Sequence, residues 1–452
     1  MEKNINIVIA GLGTVGTATI KLLEKNKYIF SHKFGLKINI VGIFAKDKFK
    51  KRDFKKNKYK WFNDPIKMIE QKNVDTVIEL IGGEKDIAKK ICYQTLKSKK
   101  NLITANKALL AHEGYKIAKL AEQNKVKIGF EASVAGGIPV ISTLKKSFNG
   151  IKINKITGIL NGTSNYILTN MLEEKNEFST SLKNAQTLGY AEQQPNNDLN
   201  GLDTLHKILI LSTIAFNKQI DLKKIMYSGI ENLTKEDIFF ANRLGFRIKL
   251  LGIGCLEKNK IKLIVSPFLI SKKKELSNVN NNLNAIIIDA NNNNKTILVG
   301  EGAGGDPTSL SVVSDLMNIS NKKENEFMYG ITYKDLKKIN ISNNFLSNNN
   351  YFIRAKIYDK PGAIAAITTI LKNFRISIKS LFQEQINKKI FNVVVLTHKC
   401  NKSSINPASI KLNNCHFVKE KAIIMQVLHV WNNYVKSLMW KEKTYFITIQ
   451  KY

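Results

Sequence analysis

The first sixteen residues constrain the fold of this chain more than any other part of it. Residues 5–10 (INIVIA) form an apolar run of strand length, GLGTVG follows at once, and a helical spacing of apolar residues begins at Ala18. Glycines at the first, third and sixth positions of such a turn permit a tight bend, close approach of a pyrophosphate and close helix packing. The helix amides that follow suit phosphate oxygens. The alternative is a glycine turn that binds nothing. The predicted cofactor contacts from this turn are Gly11, Leu12, Gly13, Thr14, Val15 and Gly16.

The rest of the first 140 residues continues this pattern. Strands are predicted at 38–45, 74–83, 101–107 and 126–134, with helical segments between them. Because strands that alternate with helices build parallel sheets with crossover helices, we expect an α/β nucleotide-binding domain over residues 1–140.

After residue 140 the pattern changes. Helical segments at 163–174 and 202–216 are followed, beyond residue 245, by strand-like pieces separated by Asn and Lys turns. This arrangement indicates an α+β domain over 141–325.

A polar, turn-rich stretch at 340–350 is the predicted linker to a third unit. Over 350–400 the order is strand, DKPG turn, amphipathic helix and strands. We interpret 418–436 as helix but assign no fold to the tail at 401–452.

Charge and composition limit the classes of protein to which the chain could belong. The chain has 452 residues, and 71 Lys+Arg against 36 Asp+Glu leave a net charge of +35. Lys and Asn are interleaved throughout, as a genome biased toward A·T-rich codons would produce, and no nucleic-acid-binding motif accompanies them, so no nucleic-acid partner is expected. No run approaches the ~18 apolar residues of a membrane span. The four cysteines are scattered without a C-x-x-C motif, and the chain lacks a recognisable secretory leader, which together favour the cytoplasm.

The end of the second predicted strand bears on the choice of dinucleotide. A basic residue there suits the 2′-phosphate of NADP, whereas an acidic one suits the ribose hydroxyl of NAD. Lys46 is the first candidate phosphate partner and Lys48 the second, while Asp47 keeps NAD open. NADP is favoured, and a solvated lysine run is the alternative interpretation.

Seven strings, in order along residues 5–320, carry a family resemblance. The chain resembles homoserine dehydrogenase, and the segment around DKPG resembles the ACT domain that bacterial members append. The strings are GLGTVG (11–16), ELIGG (79–83), TANKALL (104–110), FEASVAGGIP (130–139), GILNGTSNYIL (158–168), LGYAEQQPNNDLNGLDTLHKILIL (188–211) and GEGAGGDPT (300–308).

The resemblance implies NAD(P)H-dependent reduction of L-aspartate 4-semialdehyde to L-homoserine, on the path to threonine, methionine and isoleucine. It implies an N-terminal Rossmann-type parallel sheet, an α+β substrate and dimerisation domain, and a C-terminal ferredoxin-like ACT domain. The segment near 306–318 would return toward the nucleotide domain, and the protein would be a homodimer or homotetramer.

One residue pair supports this chemistry independently. Asp203 and Lys207 are four residues apart in a helical stretch and therefore share a face. The carboxylate can orient the ammonium, which can polarise an aldehyde and give its oxygen a proton. A surface ion pair is the alternative. The resemblance implies that Lys207 is the catalytic lysine and Asp203 a substrate-site carboxylate.

Other site residues follow from the resemblance alone. Glu192 and Asp198 would bind the substrate, Lys107 would lie between cofactor and substrate, and Gly189 and Gly302 would lie near the nucleotide. The chain departs from the family pattern at Gln194, where members usually have aspartate. That substitution removes a charge from one substrate contact.

Two further ligands are implied. A sodium ion would be held by the carbonyl oxygens of Val134, Gly136 and Ile138 with the side chain of Glu131, although a tight turn without an ion fits the same string. Threonine would bind as an effector at residues 359–362, although ACT domains also serve only as dimer contacts.

The residues argue against two alternative functions. A non-catalytic Rossmann/ACT amino-acid sensor would have no need of the Asp203–Lys207 pair. A semialdehyde dehydrogenase using a thioester would need a reactive cysteine, and the substrate motifs contain none.

Overall fold

A computed structural model of the chain describes residues 2–83, 86–257, 259–291, 295–320, 327–342 and 348–428. The predicted linker at 340–350 therefore lies partly outside the described residues. None of the helices in the described part of the chain is both long and apolar enough to cross a membrane.

The N-terminal part is a five-stranded parallel sheet in the order β2-β1-β3-β4-β5, as the alternation of strands and helices predicted. Strand β1 is buried on both faces, with Ile7 and Ile9 packed on one side and Val8 on the other. Strands β3 and β5 are shorter than predicted because the chain leaves the sheet as a loop after Glu79 and Gly129. The elements are β1 (Lys3–Ala10), α1 (Thr14–Lys25), α2 (Lys27–Phe34), β2 (Leu36–Phe44), α3 (Pro65–Ile69), β3 (Thr76–Glu79), α4 (Asp86–Lys97), β4 (Asn101–Thr104), α5 (Lys107–Gln123) and β5 (Ile128–Gly129).

The middle part builds one end of a second sheet, in the order β12-β11-β6-β9-β10, with helices on one face. Helix α10 lies in the core and is apolar on nearly all sides, as buried helices are. Helix α12 leaves this sheet and packs its Val312 and Leu316 into the same core as Ile7 and Ile9, so the chain does return to the nucleotide domain. The elements are α6 (Val140–Ser142), β6 (Ile153–Ile159), α7 (Gly162–Glu173), α8 (Phe178–Thr187), α9 (Asn196–Leu199), α10 (Leu202–Phe216), β7 (Lys218–Gln219), β8 (Met226–Tyr227), α11 (Lys235–Arg243), β9 (Phe246–Glu257), β10 (Lys260–Ser271), β11 (Leu283–Ala290), β12 (Lys295–Glu301) and α12 (Gly305–Ser320).

The C-terminal part has the strand–helix–strand–strand–helix–strand order of a ferredoxin-like unit, with the sheet order β19-β15-β17-β16. It continues past residue 400, where the sequence suggested no fold. The helix predicted at 418–436 is wrong over its first part, because a strand occupies Ile423–Leu428, and residues 429–436 lie outside the described part of the chain. The elements are β13 (Lys337–Lys338), β14 (Asn348–Asn349), β15 (Tyr351–Tyr358), α13 (Ala363–Asn373), β16 (Ile378–Asn387), β17 (Ile390–Thr397), β18 (Cys400–Asn401), α14 (Lys402–Asn413) and β19 (Ile423–Leu428).

The middle and C-terminal parts share a single sheet. Strand β19 pairs in parallel with β10, so the second sheet runs without a break into the C-terminal unit. Arg354 of β15 also forms a buried, two-point ion pair with Asp237 of α11, with Nε–Oδ1 and Nη2–Oδ2 distances of 2.6 and 3.0 Å. The C-terminal unit is therefore joined to the helices of the middle part by both main-chain and side-chain contacts.

Candidate active site

The GLGTVG turn, which begins after β1 and runs into the first turn of α1, forms a cradle that fits a dinucleotide. Gly11 has a φ of +103°, and a Cβ there would lie 2.5 Å from the carbonyl carbon of Leu80. A Cβ at Gly16 would lie 2.0 Å from the carbonyl oxygen of Gly11. Around Gly13, by contrast, no described atom beyond its chain neighbours lies within 4 Å of the corresponding position. The space that a pyrophosphate would need is therefore at Gly13, at the N-terminus of α1.

The loop after β2 lies beside this cradle. Lys46 and Lys48 are exposed on it, whereas the carboxylate of Asp47 accepts hydrogen bonds from the main chain of its own loop, which lower its pKa. Arg52 donates from Nε to the carbonyl oxygen of Leu12 and from Nη2 to that of Asp47, at 3.0 and 2.7 Å. Arg52 therefore ties the loop to the glycine turn, a role that sequence reasoning did not assign to it.

Two buried side chains shape the loops at the carboxyl ends of β3 and β4. Glu79 accepts the main-chain N–H groups of Ile81 and Gly82 at 2.7 and 3.0 Å. Asn106 caps α5 by accepting the N–H of Leu109, and its amide also donates to the carbonyl of Gly83. Lys107 is consequently held at the first turn of α5, next to the loops that follow β3 and β4.

Asp203 binds two ammonium groups, one on each of its carboxylate oxygens. Its Oδ1 lies 2.9 Å from Nζ of Lys107, and its Oδ2 lies 2.8 Å from Nζ of Lys207. Lys207 also donates to the carbonyl oxygen of Leu160 at 2.7 Å. Asp203 and Lys207 are buried, while the side chain of Lys107 is 42% exposed and marks the open side of the site. The predicted pair is therefore a triad whose third member comes from the nucleotide domain.

Asn161 organises the carboxylates of this site, and sequence reasoning missed it. As the N-cap of α7 it accepts hydrogen bonds from Ser164, and its Nδ2 donates to Asp198 at 2.7 Å and to Asp203 at 2.9 Å. The signal in the sequence was the N-cap pattern of NGTS before an apolar helix. That pattern predicts a helix start but not what the cap bonds to.

The charges of the site are strongly coupled. Burial alone would raise the pKa of Asp203, but the ammonium groups of Lys107 and Lys207 hold it far below its usual range. The same carboxylate raises the pKa of Lys107, with smaller contributions from Asp198 and Glu192. Burial and the charge of Asp203 raise the pKa of Asp198. Asp203 therefore stays ionised at any ordinary pH, and Lys107 beside it stays cationic.

The other predicted substrate and cofactor residues differ in how deeply they are buried. Glu192 and Gln194 are exposed in the loop before α9, and Glu192 is close enough to influence Lys107 electrostatically. Gly189 is exposed in the turn after α8, with a φ of +76°. Gly302 is buried, and a Cβ there would overlap the side-chain amide of Asn284.

In the turn predicted to hold sodium, the carboxylate of Glu131 is already hydrogen-bonded within the protein. Both oxygens of Glu131 accept main-chain N–H groups, from Ile141 and Ser142, at 2.7 Å each. Burial raises the pKa of Glu131. The carbonyl oxygen of Gly136 accepts the hydroxyl of Ser311. No group of three or more His, Cys, Asp or Glu side chains suited to a metal ion occurs among the described residues.

Comparisons with known proteins point to a single family. A family model for the NAD-binding domain of homoserine dehydrogenase matches residues 11–131, and one for homoserine dehydrogenase matches 139–317. The homoserine dehydrogenase of Helicobacter pylori is 37% identical over 425 residues, which are 92% of this chain and 97% of the relative. The chain belongs to the homoserine dehydrogenase family. The Bacillus subtilis homoserine dehydrogenase is 34% identical over 424 residues, again 92% and 97% of the two chains.

A solved structure extends the match to the fold. The homoserine dehydrogenase from Thiobacillus denitrificans superimposes with a TM-score of 0.85 at 32% identity, covering 94% of this chain and 99% of that one. The similarity to homoserine dehydrogenases thus includes the C-terminal unit, beyond the residues that the two family models match.

Proposed function

We propose that the chain catalyses the NAD(P)H-dependent, reversible reduction of L-aspartate 4-semialdehyde to L-homoserine. The observation that carries this proposal is the ammonium of Lys207, which is buried and aligned by Asp203, a carboxylate that also binds Lys107 of the N-terminal domain. An ammonium has three donors, and Lys207 directs two of them to Asp203 and Leu160. The third has no partner among the described residues and is available for an aldehyde oxygen.

Each residue of the site has a separate role in this reaction. A bound nicotinamide dinucleotide supplies hydride to the aldehyde carbon. Lys207 stabilises the negative charge that develops on the oxygen and gives it a proton. The carboxylates of Glu192 and Asp198 suit the substrate ammonium, and Lys107 suits a negative group between cofactor and substrate. Gln194 contributes an acceptor oxygen but no charge to the same loop.

The direct test is the absorbance of NADPH or NADH at saturating aspartate semialdehyde. We expect oxidation of the cofactor with formation of homoserine. Absence of oxidation with either cofactor, in protein that binds it, would favour the amino-acid sensor instead.

We expect NADP to be the preferred cofactor, with Lys46 on the 2′-phosphate. Lys46→Glu should weaken NADPH binding about 10- to 100-fold, since it replaces a charge-assisted contact by repulsion, and should change NADH binding much less. Dissociation constants from the fluorescence of bound NADPH and NADH would measure both.

Lys48→Glu is the matched control for this prediction. Equal losses for the two cofactors in Lys46→Glu would show that Lys46 does not touch the phosphate. A larger selective loss in Lys48→Glu would transfer the role to Lys48.

A monovalent cation is proposed at the turn 131–138. Its support is the set of main-chain carbonyls at Val134, Gly136 and Ile138, oxygen ligands that suit sodium, next to the buried carboxylate of Glu131. Replacing sodium by N-methylglucamine should then lower the midpoint of thermal unfolding, and an unchanged midpoint would exclude a structural ion.

Threonine is proposed as an effector at the turn before α13, in a C-terminal unit that serves as an ACT domain. Gly362 is the N-cap of α13 with a φ of +86°, and the α13 amides there suit a carboxylate. Gly362→Asp should abolish threonine inhibition by repelling that carboxylate. The Gly362→Asn variant introduces a side chain of the same shape as aspartate but without its charge. Asparagine also tolerates the left-handed backbone, so this variant should preserve inhibition. Titrating threonine into the NADPH assay compares them, and equal inhibition in both variants would place the effector elsewhere.

A homodimer or homotetramer is also proposed. Strand β12 is at the edge of the second sheet and leaves Ile297 and Val299 exposed, which suits pairing with another chain. Sedimentation of a Val299→Lys variant as a monomer would support this edge as the interface, and an unchanged oligomer would exclude it.

A further inference from the structure

Asn284 is a buried amide that the fold leaves without hydrogen bonds. Its side chain is 0% exposed, and neither Oδ1 nor Nδ2 has a hydrogen-bond partner among the described residues. Buried polar groups are nearly always paired, because an unpaired one loses its contacts with water without replacement. A fold that keeps both ends of one amide unpaired is poised to pair them with a ligand.

Asn284 lies close to the carbonyl oxygen that binds the ammonium of Lys207. The neighbouring Ala285 pairs with Ile159 of β6, so Asn284 lies next to Leu160, whose carbonyl oxygen accepts the hydrogen bond of Lys207. Ile286 and Ile288, two and four residues further along β11, pack in the same core as helix α10. Because alternate strand residues share a face, Asn284 is on the face that carries Asp203 and Lys207.

The other neighbour of Asn284 is the glycine-rich turn before α12. A Cβ built at Gly302 would lie 1.9 Å from Nδ2 of Asn284, so the backbone of Gly302 packs directly against the amide. Three residues later, a Cβ at Gly305 would lie 3.1 Å from Cγ2 of Thr14, in the nucleotide turn. Asn284 therefore lies between the acceptor of the catalytic lysine and the turn that abuts the dinucleotide cradle.

We infer that Asn284 binds the carboxamide group of the nicotinamide ring. This inference rests on the proposed function, since hydride transfer places the ring beside the aldehyde and therefore beside Lys207. A primary carboxamide has one carbonyl acceptor and N–H donors, which complement the orphaned Nδ2 and Oδ1 of one asparagine. The charged ends of the substrate have proposed partners in Glu192, Asp198 and Lys107, and the adenosine end of a bound dinucleotide would lie toward the loop with Lys46. Because Gly302 packs against the amide, binding of the ring to Asn284 requires this turn to move.

The test compares NADP⁺ with its 3-acetylpyridine analogue, in which a methyl group replaces the NH₂ of the carboxamide. Calorimetric dissociation constants are measured for both dinucleotides with the wild-type protein, Asn284→Leu and Lys46→Glu. The wild type should bind the analogue about tenfold more weakly, because it leaves one amide atom of Asn284 unpaired. Asn284→Leu should bind NADP⁺ about tenfold more weakly and should no longer distinguish the two. Lys46→Glu acts at the far end of the dinucleotide and should keep the wild-type ratio.

The outcomes separate this inference from the proposed function. A wild-type protein that binds neither dinucleotide would contradict the proposed function. Binding of both, with the wild-type ratio preserved in Asn284→Leu, would overturn the role of Asn284 alone. Without ligand, Asn284→Leu should unfold at or above the wild-type temperature, because it removes an unpaired buried amide. A large fall in that temperature would show that Asn284 is a structural residue instead, and Asn284→Ser would then repeat the binding comparison with a smaller side chain.

Discussion

Replacing Lys207 with alanine is expected to lower kcat by about 10²- to 10⁴-fold, the usual contribution of a positioned general acid. The ammonium of Lys207 acts on charge that develops at the aldehyde oxygen, so its loss falls on the transition state and not on cofactor binding. Because Asp203 and the Leu160 carbonyl hold this ammonium in place, water is a poor substitute for it. Steady-state rates at saturating substrate, together with the dissociation constant of NADPH, measure the two quantities separately.

Lys207→Arg is the control for this prediction. Arginine keeps the positive charge but is not deprotonated in proteins, so it should support binding while proton donation remains impaired. A near-normal kcat in Lys207→Ala would contradict the assignment. The proton donor would then be sought at Lys107, which contacts the other oxygen of Asp203.

Replacing Arg354 with methionine is expected to lower the free energy of unfolding by about 3–5 kcal/mol, as when one partner of a buried ion pair is removed. Asp237 is 0% exposed, and without Arg354 it would retain main-chain and hydroxyl contacts from Thr234 but no cation. The loss should appear in guanidinium titrations, as earlier separation of the C-terminal unit from the middle part of the chain.

The same two parts of the molecule contain a matched control. Arg243 of α11 lies 3.3 Å from Glu384 of β16, with side chains that are 56% and 44% exposed. Arg243→Met should change the free energy of unfolding by no more than about 1 kcal/mol, since exposed ion pairs contribute little. Equal losses in the two arginine variants would show that burial of the Arg354 pair is not what matters. Asp237→Asn combined with Arg354→Met should recover part of the loss, because it removes the unpaired charge.

The parts of the fold that the sequence predicted well depend on local patterns. GLGTVG is a contiguous turn in which Gly16 closely approaches the carbonyl of Gly11, so this part of its geometry is contained in the string. Helix α10 begins and ends where its pattern predicted, and its i,i+4 spacing is sufficient to bring Asp203 to Lys207. Parallel strands alternating with helices likewise leave few arrangements for the first sheet.

The parts that the sequence did not predict depend on contacts between distant segments. Residues 418–428 were predicted to begin a helix, but β19 is a strand because β10 and β15 offer it hydrogen bonds on both edges. The two main-chain N–H groups that the carboxylate of Glu131 accepts at the start of α6 were not predicted either. No local rule predicts which partner such a residue will meet.

The sequence by itself therefore determined the dinucleotide cradle, the parallel sheet, the Asp203–Lys207 pair and the family. The tertiary structure alone decided that Lys107 completes this pair, that Asn161 bridges its carboxylates and that the sheet continues into the C-terminal unit. The reason is physical. The spacing of residues along the chain determines which side chains meet within one helix or turn. The partner of a buried charge or amide depends instead on which distant segments pack together, and residue spacing does not predict that packing.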